Sequence, residues 1–392
     1  MNPASTLRVR EVDFKVDSRW DDFVSLHQDA LIYHHTSYLS ALESEYGQRC
    51  RALICEDSTA HVRAVLPLFH VEGLPFRLGR SAGRRRLSSL PRTPVAGRLA
   101  TDDAAMAAIL QHALQLVRGE AGLHLEIKST QSNLERLAPE LCCMPWNSSY
   151  VQELPAGIDG ASWENFCEDL RLPRECGPCE DCRRLRFGNA KKQHRVNWAV
   201  NKALRLGLHI REANNETELA QWYRLYLDSM RHHSFPPRPF RFFAKLWSTL
   251  RPLGQIKLLF AESTDTTPKR IVAGSMVLQF GQTAFYAFTG CAHKDFSLHP
   301  HDLLQLHLIR DSCRSGFRWY DFGEVSEGDE GLAQFKGKWG TQARQLYRYF
   351  YPALQAAQSR DASSLISWVR RGWRSLPLGI TEKLGDKIHR YT

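Results

Sequence analysis

One order of secondary-structure elements occurs twice in the 392-residue sequence. Residues 51–73 (RALICEDSTAHVRAVLPLFHVEG) and 256–281 (IKLLFAESTDTTPKRIVAGSMVLQFG) each contain an apolar run, a turn with acidic residues, Ser and Thr, and a longer apolar run. That pattern is typical of a hairpin of two buried strands. Each hairpin follows segments in which apolar residues recur every three or four positions, which is typical of helices. The repeat predicts two α/β domains of one topology.

Length and composition agree with a two-domain globular protein. A chain of 392 residues is too long for one ordinary core, and a hydrophobic content of 43% suits a folded protein. No apolar run reaches the roughly 20 residues that cross a bilayer, and the charged N-terminus lacks the apolar core of a signal peptide. Ten cysteines fit a reducing compartment. These observations predict a cytoplasmic protein.

The net charge of +10 predicts an anionic partner, which could be nucleic acid, a phosphate-bearing substrate or an anionic membrane. Solubility alone is the alternative explanation. One concentration of charge lies between the predicted domains, at Arg183, Arg184, Arg186, Lys191, Lys192 and Arg195. Another lies in the tail, where an apolar stripe has arginines beside it and consists of Leu365, Val369, Trp373 and Leu376. Such a helix can lie on an anionic membrane, as a peripheral protein would, or pack on the second domain.

The sequence divides into three predicted parts. Residues 1–158 form the first domain, residues 159–352 form the second domain with a Cys-rich basic insertion at 167–195, and residues 353–392 form a basic helical extension. After the second hairpin come a strand (TAFYAFTGCA), a helix (HPHDLLQLHLIRDSCRSG) and a strand (FRWYDFG) with aromatic residues on both faces. Ligands of open α/β sheets bind at the carboxyl ends of such strands. The Asp-Phe-Gly at this end therefore marks a candidate site.

Two familiar interpretations of residues 321–340, DFGEVSEGDEGLAQFKGKWG, fail. A kinase also needs a catalytic loop, and the position five residues after Asp311 is Gly316 instead of a metal-binding Asn. A P-loop needs four residues between its first two glycines, whereas GLAQFKGKW has five, and Trp339 replaces the metal-binding hydroxyl. The segment is therefore neither a kinase metal site nor a P-loop.

The run from HDLLQLHLIRDSCRSGFRWYDFG to GLAQFKGKWG resembles the signature of FemAB/FemX-like N-acyltransferases. The resemblance implies an α/β fold of two GNAT-like (acyl-CoA N-acyltransferase) domains, with mixed sheets flanked by helices. It implies transfer of an acyl group from acyl-CoA or aminoacyl-tRNA to an amine of a cell-envelope precursor, of peptidoglycan or exopolysaccharide, with no tightly bound cofactor. The Cys-rich insertion departs from the family pattern. A non-catalytic GNAT-fold protein that binds a nucleic acid or lipid-linked glycan is the alternative.

The resemblance assigns Lys336, the lysine of the Phe-Lys pair, to the handling of the reacting acyl group. A fixed ammonium stabilises the anionic oxygen that forms when an amine attacks an ester or thioester; a solvated surface lysine is the alternative. Asp321 and Glu324 are candidate general bases, because an amine must lose a proton before attack. Capping of backbone amides is their alternative role. Other residues assigned to the substrate site are Gly323, Phe335, Tyr286, Asp302 and Arg195.

The spacing of Leu332, Phe335 and Trp339 predicts a short helix with these side chains facing the core. Lys336 would lie at the border of that face, at the edge of the site.

Cys176, Cys179 and Cys182 form a C-x-x-C-x-x-C run, and Cys167 is available as a fourth thiolate. Two-residue gaps let neighbouring thiolates face one ion, so zinc or an iron–sulfur cluster suits the spacing. Zinc signatures usually pair two such runs, so an exposed cysteine-bearing loop is the alternative.

Overall fold

A computed structural model of the chain describes residues 7–72, 85–154, 189–264, 269–353 and 372–388. The strands are β1 (Arg8–Val12), β2 (Arg51–Glu56), β3 (Val62–Val71), β4 (Arg86–Ser88), β5 (Leu99–Ala100), β6 (His124–Ser129), β7 (Cys142–Glu153), β8 (Leu208–Glu212), β9 (Ile256–Ser263), β10 (Arg270–Phe280), β11 (Thr283–Cys291), β12 (Trp319–Val325) and β13 (Gln342–Tyr351). The α-helices are α1 (Arg19–Leu26), α2 (Thr36–Tyr46), α3 (Asp103–Arg118), α4 (Ala190–Arg205), α5 (Glu216–His233), α6 (Phe240–Leu250), α7 (Pro300–Arg314), α8 (Glu330–Gly337) and α9 (Leu378–Ile388).

The chain forms two compact units whose segments alternate along the sequence. The first unit comprises residues 1–147, 236–246 and 345–392, and the second comprises residues 148–235 and 247–344. The predicted domain boundary at 158 falls in residues 155–188, and the boundary at 352 adjoins residues 354–371. Both of these ranges lie outside the described residues, so the two boundaries stay predictions.

The sheet of the first unit has six strands along its main path. Strands β1, β2, β3 and β4 pair antiparallel in that order, β4 pairs parallel with β6, and β6 pairs antiparallel with β13. The short strand β5 pairs with β3. Helices α1 and α2 follow β1, and α3 lies between β4 and β6 in the chain. Helix α3 packs its apolar face on the sheet, where Ile109 and Leu114 join Leu66 and Leu125 in one core.

The second unit repeats this pattern of pairing. Strands β8, β9, β10 and β11 pair antiparallel in that order, β11 pairs parallel with β12, and β12 pairs antiparallel with β7. Helices α5 and α6 follow β8, and α7 lies between β11 and β12. Leu304 and Ile309 of α7 pack with Ala273, Val277 and Trp339 in the core of this unit. Two α/β domains of one topology, predicted from the repeated hairpins, are therefore confirmed.

The last strand of each sheet comes from a different part of the chain than its neighbours. Strand β7 precedes the other strands of the second unit, and β13 follows all the other strands of the first. Each is antiparallel to the strand beside it.

Local sequence explains where several helices begin. The side chains of Asp102, Asn189 and Asn215 accept hydrogen bonds from backbone N–H groups in the first turns of α3, α4 and α5. Such capping satisfies amides that have no partner within the helix. Residues 190–195, the last part of the predicted insertion, are the start of α4.

The described part of the C-terminal extension packs within the first unit. Trp373 of the predicted apolar stripe is buried. On α9, Asp386 forms an ion pair of 2.5 Å with Arg241, and Gly385 lies directly against Pro237. Arg241 and Pro237 belong to the predicted second domain, residues 159–352, so for residues 372–388 these contacts agree with the expected packing on that domain. The other part of the stripe, at Leu365 and Val369, lies outside the described residues, so its contact with a membrane stays a prediction.

Within the described ranges, no helix combines the length and the apolar composition that crossing a bilayer requires.

Strand β11 and helix α5 approach too closely for a side chain at Gly290. A Cβ atom there would lie 2.4 Å from the backbone nitrogen of Tyr226 and 2.7 Å from the carbonyl carbon of Leu225. Because backbone atoms cannot rotate away, we expect Gly290→Ala to lower the free energy of unfolding by about 1–3 kcal/mol. Urea unfolding followed by tryptophan fluorescence measures this. Gly337→Ala in the same unit is the control, since a Cβ there has open space; equal midpoints for the two variants would contradict the prediction.

Candidate active site

The site is built at a β-bulge in β12. The register with β7 pairs Asp321 with Val151 and Glu324 with Ser149, so Phe322 and Gly323 together oppose a single residue of β7. Gly323 has a φ of 78°, in the left-handed region that glycine adopts at little cost. The bulge interrupts the ladder and redirects the backbone at the end of the strand.

Lys336 is buried against this bulge. Its Nζ donates hydrogen bonds to the carbonyl oxygens of Gly323 (3.1 Å) and Glu324 (3.0 Å), and the residue is only 5% exposed. Burial lowers the pKa of the ammonium to about 8, although the carboxylates of Asp321, Glu324 and Asp329 oppose this change. Below that pH the site therefore holds a fixed, desolvated positive charge.

Asp321 is held in place from two sides. Its Oδ1 accepts hydrogen bonds from the Ser149 hydroxyl and from the Gly323 N–H, both at 2.7 Å. Burial raises the pKa of this carboxyl, while these two hydrogen bonds and the charge of Lys336 counteract the rise. The bond to Gly323 fixes the turn of the bulge, which favours a positioning role for Asp321.

Glu324 is half-buried beside the same bulge. Its Oε2 is shielded from solvent and has no hydrogen-bond partner among the described residues. A buried carboxylate oxygen without a donor is costly. A proton or a ligand donor at that oxygen would remove the cost.

The structure corrects the predicted inward face of α8. Leu332 is exposed and Phe335 is half-buried, with Lys338 Nζ 4.6 Å from the Phe335 ring centroid. The buried side chains of this segment are Lys336 and Trp339. Lys336 can turn inward because two backbone carbonyls receive its ammonium, a partner that apolar periodicity does not reveal.

Tyr286 lies where two parallel strands part. The paired register of β11 and β12 ends with Phe285 opposite Asp321, and Tyr286 is the next residue. Its ring centroid lies 6.3 Å from that of Phe322, within the bulge. The structure thus brings Tyr286 close to the residues around Lys336.

Asp302 and Arg195 lie elsewhere in the second unit. Asp302 is buried at the start of α7, where it forms an ion pair with Lys338 and lies 3.6 Å from His299. This ion pair anchors the end of α8 and leaves Asp302 in a supporting position. Arg195 is exposed on α4. Their assignment to a substrate site stays a prediction.

The predicted metal ligands cannot be placed. Cys167, Cys176, Cys179 and Cys182 lie outside the described residues, as do Arg183, Arg184 and Arg186 of the basic run. Across the ranges that the structure does describe, His, Cys, Asp and Glu side chains form no group of three suited to a metal ion. Zinc or an iron–sulfur cluster at the cysteines stays a prediction.

Two contributors to the site were missed from sequence. Ser149 is 172 residues from Asp321 in the chain, and β7, which carries it, was not recognised as a strand. Gln305 is fully buried on α7 and accepts a hydrogen bond from the Tyr320 hydroxyl at 2.9 Å. A polar residue at a helical core position was the available signal for Gln305, whereas no local pattern marks Ser149.

Because Trp339 is buried and Phe335 is only half-buried, their replacement by alanine should lower the free energy of unfolding by different amounts. Trp339→Ala should lower the free energy of unfolding by about 3–5 kcal/mol, because it leaves a cavity in the core. Phe335→Ala removes a half-buried ring and should cost about 1 kcal/mol, well below the value for full burial. Urea unfolding of both variants measures the difference. A larger loss for Phe335→Ala would mean that the other face of α8 is packed.

Comparison with known proteins supports the repeated fold. Residues 190–337 match the family model described as an acetyltransferase (GNAT) domain. That segment includes Lys336 and the bulge. No curated protein sequence matches the chain significantly.

Three solved structures illustrate the likeness. The chain is similar to FemX, with a TM-score of 0.59 and 13% identity over 93% of this chain and 100% of FemX. It is similar to the C-terminal domain of a putative lysylphosphatidylglycerol synthetase from Agrobacterium fabrum, with a TM-score of 0.52 and 11% identity over 89% and 94% of the two chains. It is also similar to L-PGS from Bacillus licheniformis, with a TM-score of 0.51 and 12% identity over 91% and 95%. The chain therefore has the FemX-like fold of tandem GNAT domains, the fold of GNAT acyltransferases.

Proposed function

We propose that the protein is an N-acyltransferase that moves an acyl or aminoacyl group from acyl-CoA or aminoacyl-tRNA to an amine of a cell-envelope or polysaccharide precursor. The observation that carries the proposal is the buried ammonium of Lys336, held between two carbonyl oxygens and close to the carboxylates of Asp321 and Glu324. The GNAT fold supports the reaction class.

Lys336 would stabilise the charge that develops on the donor. Amine attack forms a C–N bond at the carbonyl carbon and leaves a negative charge on its oxygen. An ammonium has three N–H groups, and two of those of Lys336 are engaged by the bulge carbonyls. The third can donate to the anionic oxygen, and in a desolvated site such a contact is worth much more than in water. Collapse of the intermediate then expels the thiolate of CoA or the ribose oxygen of tRNA.

Glu324 is the better candidate for the general base. The attacking amine has an ordinary pKa near 10.4 and must lose a proton. The unpartnered Oε2 of Glu324 can accept that proton. The two hydrogen bonds that Asp321 Oδ1 accepts hold the bulge, so Asp321 would position the backbone.

Cationic side chains near the start of α7 support a donor that carries phosphates, as both CoA and tRNA do. Lys202 Nζ lies 3.4 Å from Nε2 of His299 and 5.1 Å from the ring centroid of Trp198. Trp198 is 50% exposed and offers a ring on which a base can stack. Arg195 lies one turn earlier on the same helix. Contact of this surface with CoA or tRNA is part of the proposal.

Mass spectrometry of the purified protein tests the reaction class. The full chain is incubated with a panel of acyl-CoA donors or charged tRNAs, and with amine acceptors that include amino sugars and peptidoglycan peptides. We expect an acceptor mass increased by one acyl group. Tight binding of an anionic glycan or nucleic acid without turnover of any donor would favour the non-catalytic alternative.

Replacement of Lys336 should change both the rate and its pH dependence. Lys336→Met should lower kcat/KM by about 10²–10³, the typical cost of one preorganised contact. The contribution of the ammonium is complete below its pKa of about 8 and is lost as the pH rises through that value. The wild-type rate should therefore fall above pH 8. A guanidinium stays charged there, so Lys336→Arg should keep part of the activity and lose this fall.

The control is Lys257→Met on β9, which changes a half-buried lysine of the same unit away from the bulge and α8. Steady-state kinetics from pH 6 to 10, with the substrates identified by the panel, give the comparison. An unchanged rate and pH profile for Lys336→Met would show that the lysine only braces the bulge.

The two carboxylates should respond differently to neutral substitution. Glu324→Gln should lower kcat by about 10²–10⁴, the contribution of a general base, with little change in the free energy of unfolding. Asp321→Asn should lower stability as well, because it disturbs the hydrogen bonds that hold the bulge. Kinetics together with urea unfolding separate the two roles. A loss of turnover confined to Asp321→Asn, with normal stability, would reverse the assignment.

A further inference from the structure

A second group of polar side chains, three of them buried and three half-buried, lies beside the candidate active site in the second unit. Its members come from β10, β11, α7 and β12, and we call it the hydroxyl cluster: Ser275, Tyr286, Thr289, His301, Gln305 and Tyr320. Ser275 Oγ lies 3.0 Å from Thr289 Oγ1, which lies 3.3 Å from Nδ1 of His301. The Tyr320 hydroxyl donates to Gln305 Oε1 at 2.9 Å.

The hydroxyl cluster carries no charge at neutral pH. Burial lowers the pKa of His301 to about 4, so its imidazole is neutral. Burial also raises the pKa of Tyr286, and it raises that of Tyr320 far more. A charged ligand group would find no countercharge within the cluster, whereas an uncharged polar group would find donors and acceptors.

One donor of the hydroxyl cluster is unused. Gln305 is 0% exposed, and its Nε2 has no hydrogen-bond partner among the described residues. A buried donor without an acceptor costs free energy that a bound acceptor would recover. An apolar chain next to it would leave the donor unpaired. The arrangement therefore discriminates in favour of a ligand with an oxygen at this place.

The hydroxyl cluster is close to the reacting groups. Tyr286 directly follows the last paired residue of β11, where that strand parts from β12. The Phe322 ring, between Asp321 and Gly323 in the chain, has its centroid 6.3 Å from that of Tyr286 and 4.9 Å from that of Tyr320. Gly323 and Glu324, whose carbonyl oxygens hold Lys336, directly follow Phe322 in the chain.

We propose that the hydroxyl cluster selects the acyl group, and that it accepts donors with a hydroxyl on the β-carbon. This inference rests on the proposed acyl transfer. The 3-hydroxyacyl group of a CoA thioester and the seryl group of a charged tRNA share this chemistry. The hydroxyl of either one would accept from Gln305 Nε2 and donate to the oxygens of Tyr286 or Thr289.

Calorimetric titration of the full chain with matched donors tests the selection. One pair is 3-hydroxybutyryl-CoA and butyryl-CoA, and the other is a seryl and an alanyl group, each amide-linked to the same tRNA; the members of each pair differ by one hydroxyl. We expect the hydroxylated member of one pair to bind about tenfold more tightly, the effect of one good hydrogen bond. The pair that responds identifies the source of the acyl group.

Two variants locate the effect. Gln305→Leu and Tyr286→Phe should reduce the preference to about twofold or less, while Tyr347→Phe on β13 of the first unit should keep it. If the two donors of a pair bind to the wild type with equal affinity, the proposed selection of the hydroxylated acyl group is wrong, whereas the proposed acyl transfer is unaffected. Failure of all four donors to bind would overturn the proposed function and this inference with it. A preference that persists in both variants would place the selecting residues elsewhere.

Discussion

Each of the two sheets depends on one strand that comes from a distant part of the chain. Strand β7 completes the sheet of the second unit, and β13 completes the sheet of the first. Without these strands β6 and β12 would each expose an edge of unpaired backbone groups, which is costly and prone to aggregate. The site inherits this dependence, because the register of β7 against β12 creates the bulge and supplies Ser149.

Each unit has an acidic residue in the third residue pair of its two parallel strands, but the neighbours of the two acids differ. In the first unit Glu126 stands opposite Ser88, at the third pair of β4 and β6; in the second, Asp321 stands opposite Phe285, at the third pair of β11 and β12. Although burial opposes ionisation, Arg348, Arg86 and Lys128 outweigh it and lower the pKa of Glu126 to about 2. Glu126 is therefore ionised at neutral pH and forms buried ion pairs with Arg86 and Arg348.

In the second unit, the acid at the corresponding position has different neighbours. Asp321 has a serine hydroxyl, a backbone amide and a nearby ammonium around it, and its pKa is raised instead of lowered. The left-handed Gly323 directs two carbonyls towards Lys336, so a lysine replaces the arginines of the first unit as the neighbouring cation. One scaffold thus holds a closed ion network in one copy and a titratable site in the other.

The sequence by itself determined the local elements and their repetition, because apolar periodicity and turn residues act over a few positions. It placed Asp-Phe-Gly at a strand end and singled out Lys336. Only the tertiary structure decided that Lys336 turns inward while Leu332 turns out, since a lysine is buried where carbonyl oxygens meet its ammonium. Likewise, the contact of Ser149 with Asp321 spans 172 residues, and the hydroxyl cluster joins four elements. Such contacts follow from how strands pair across the whole chain, which no short stretch of sequence encodes.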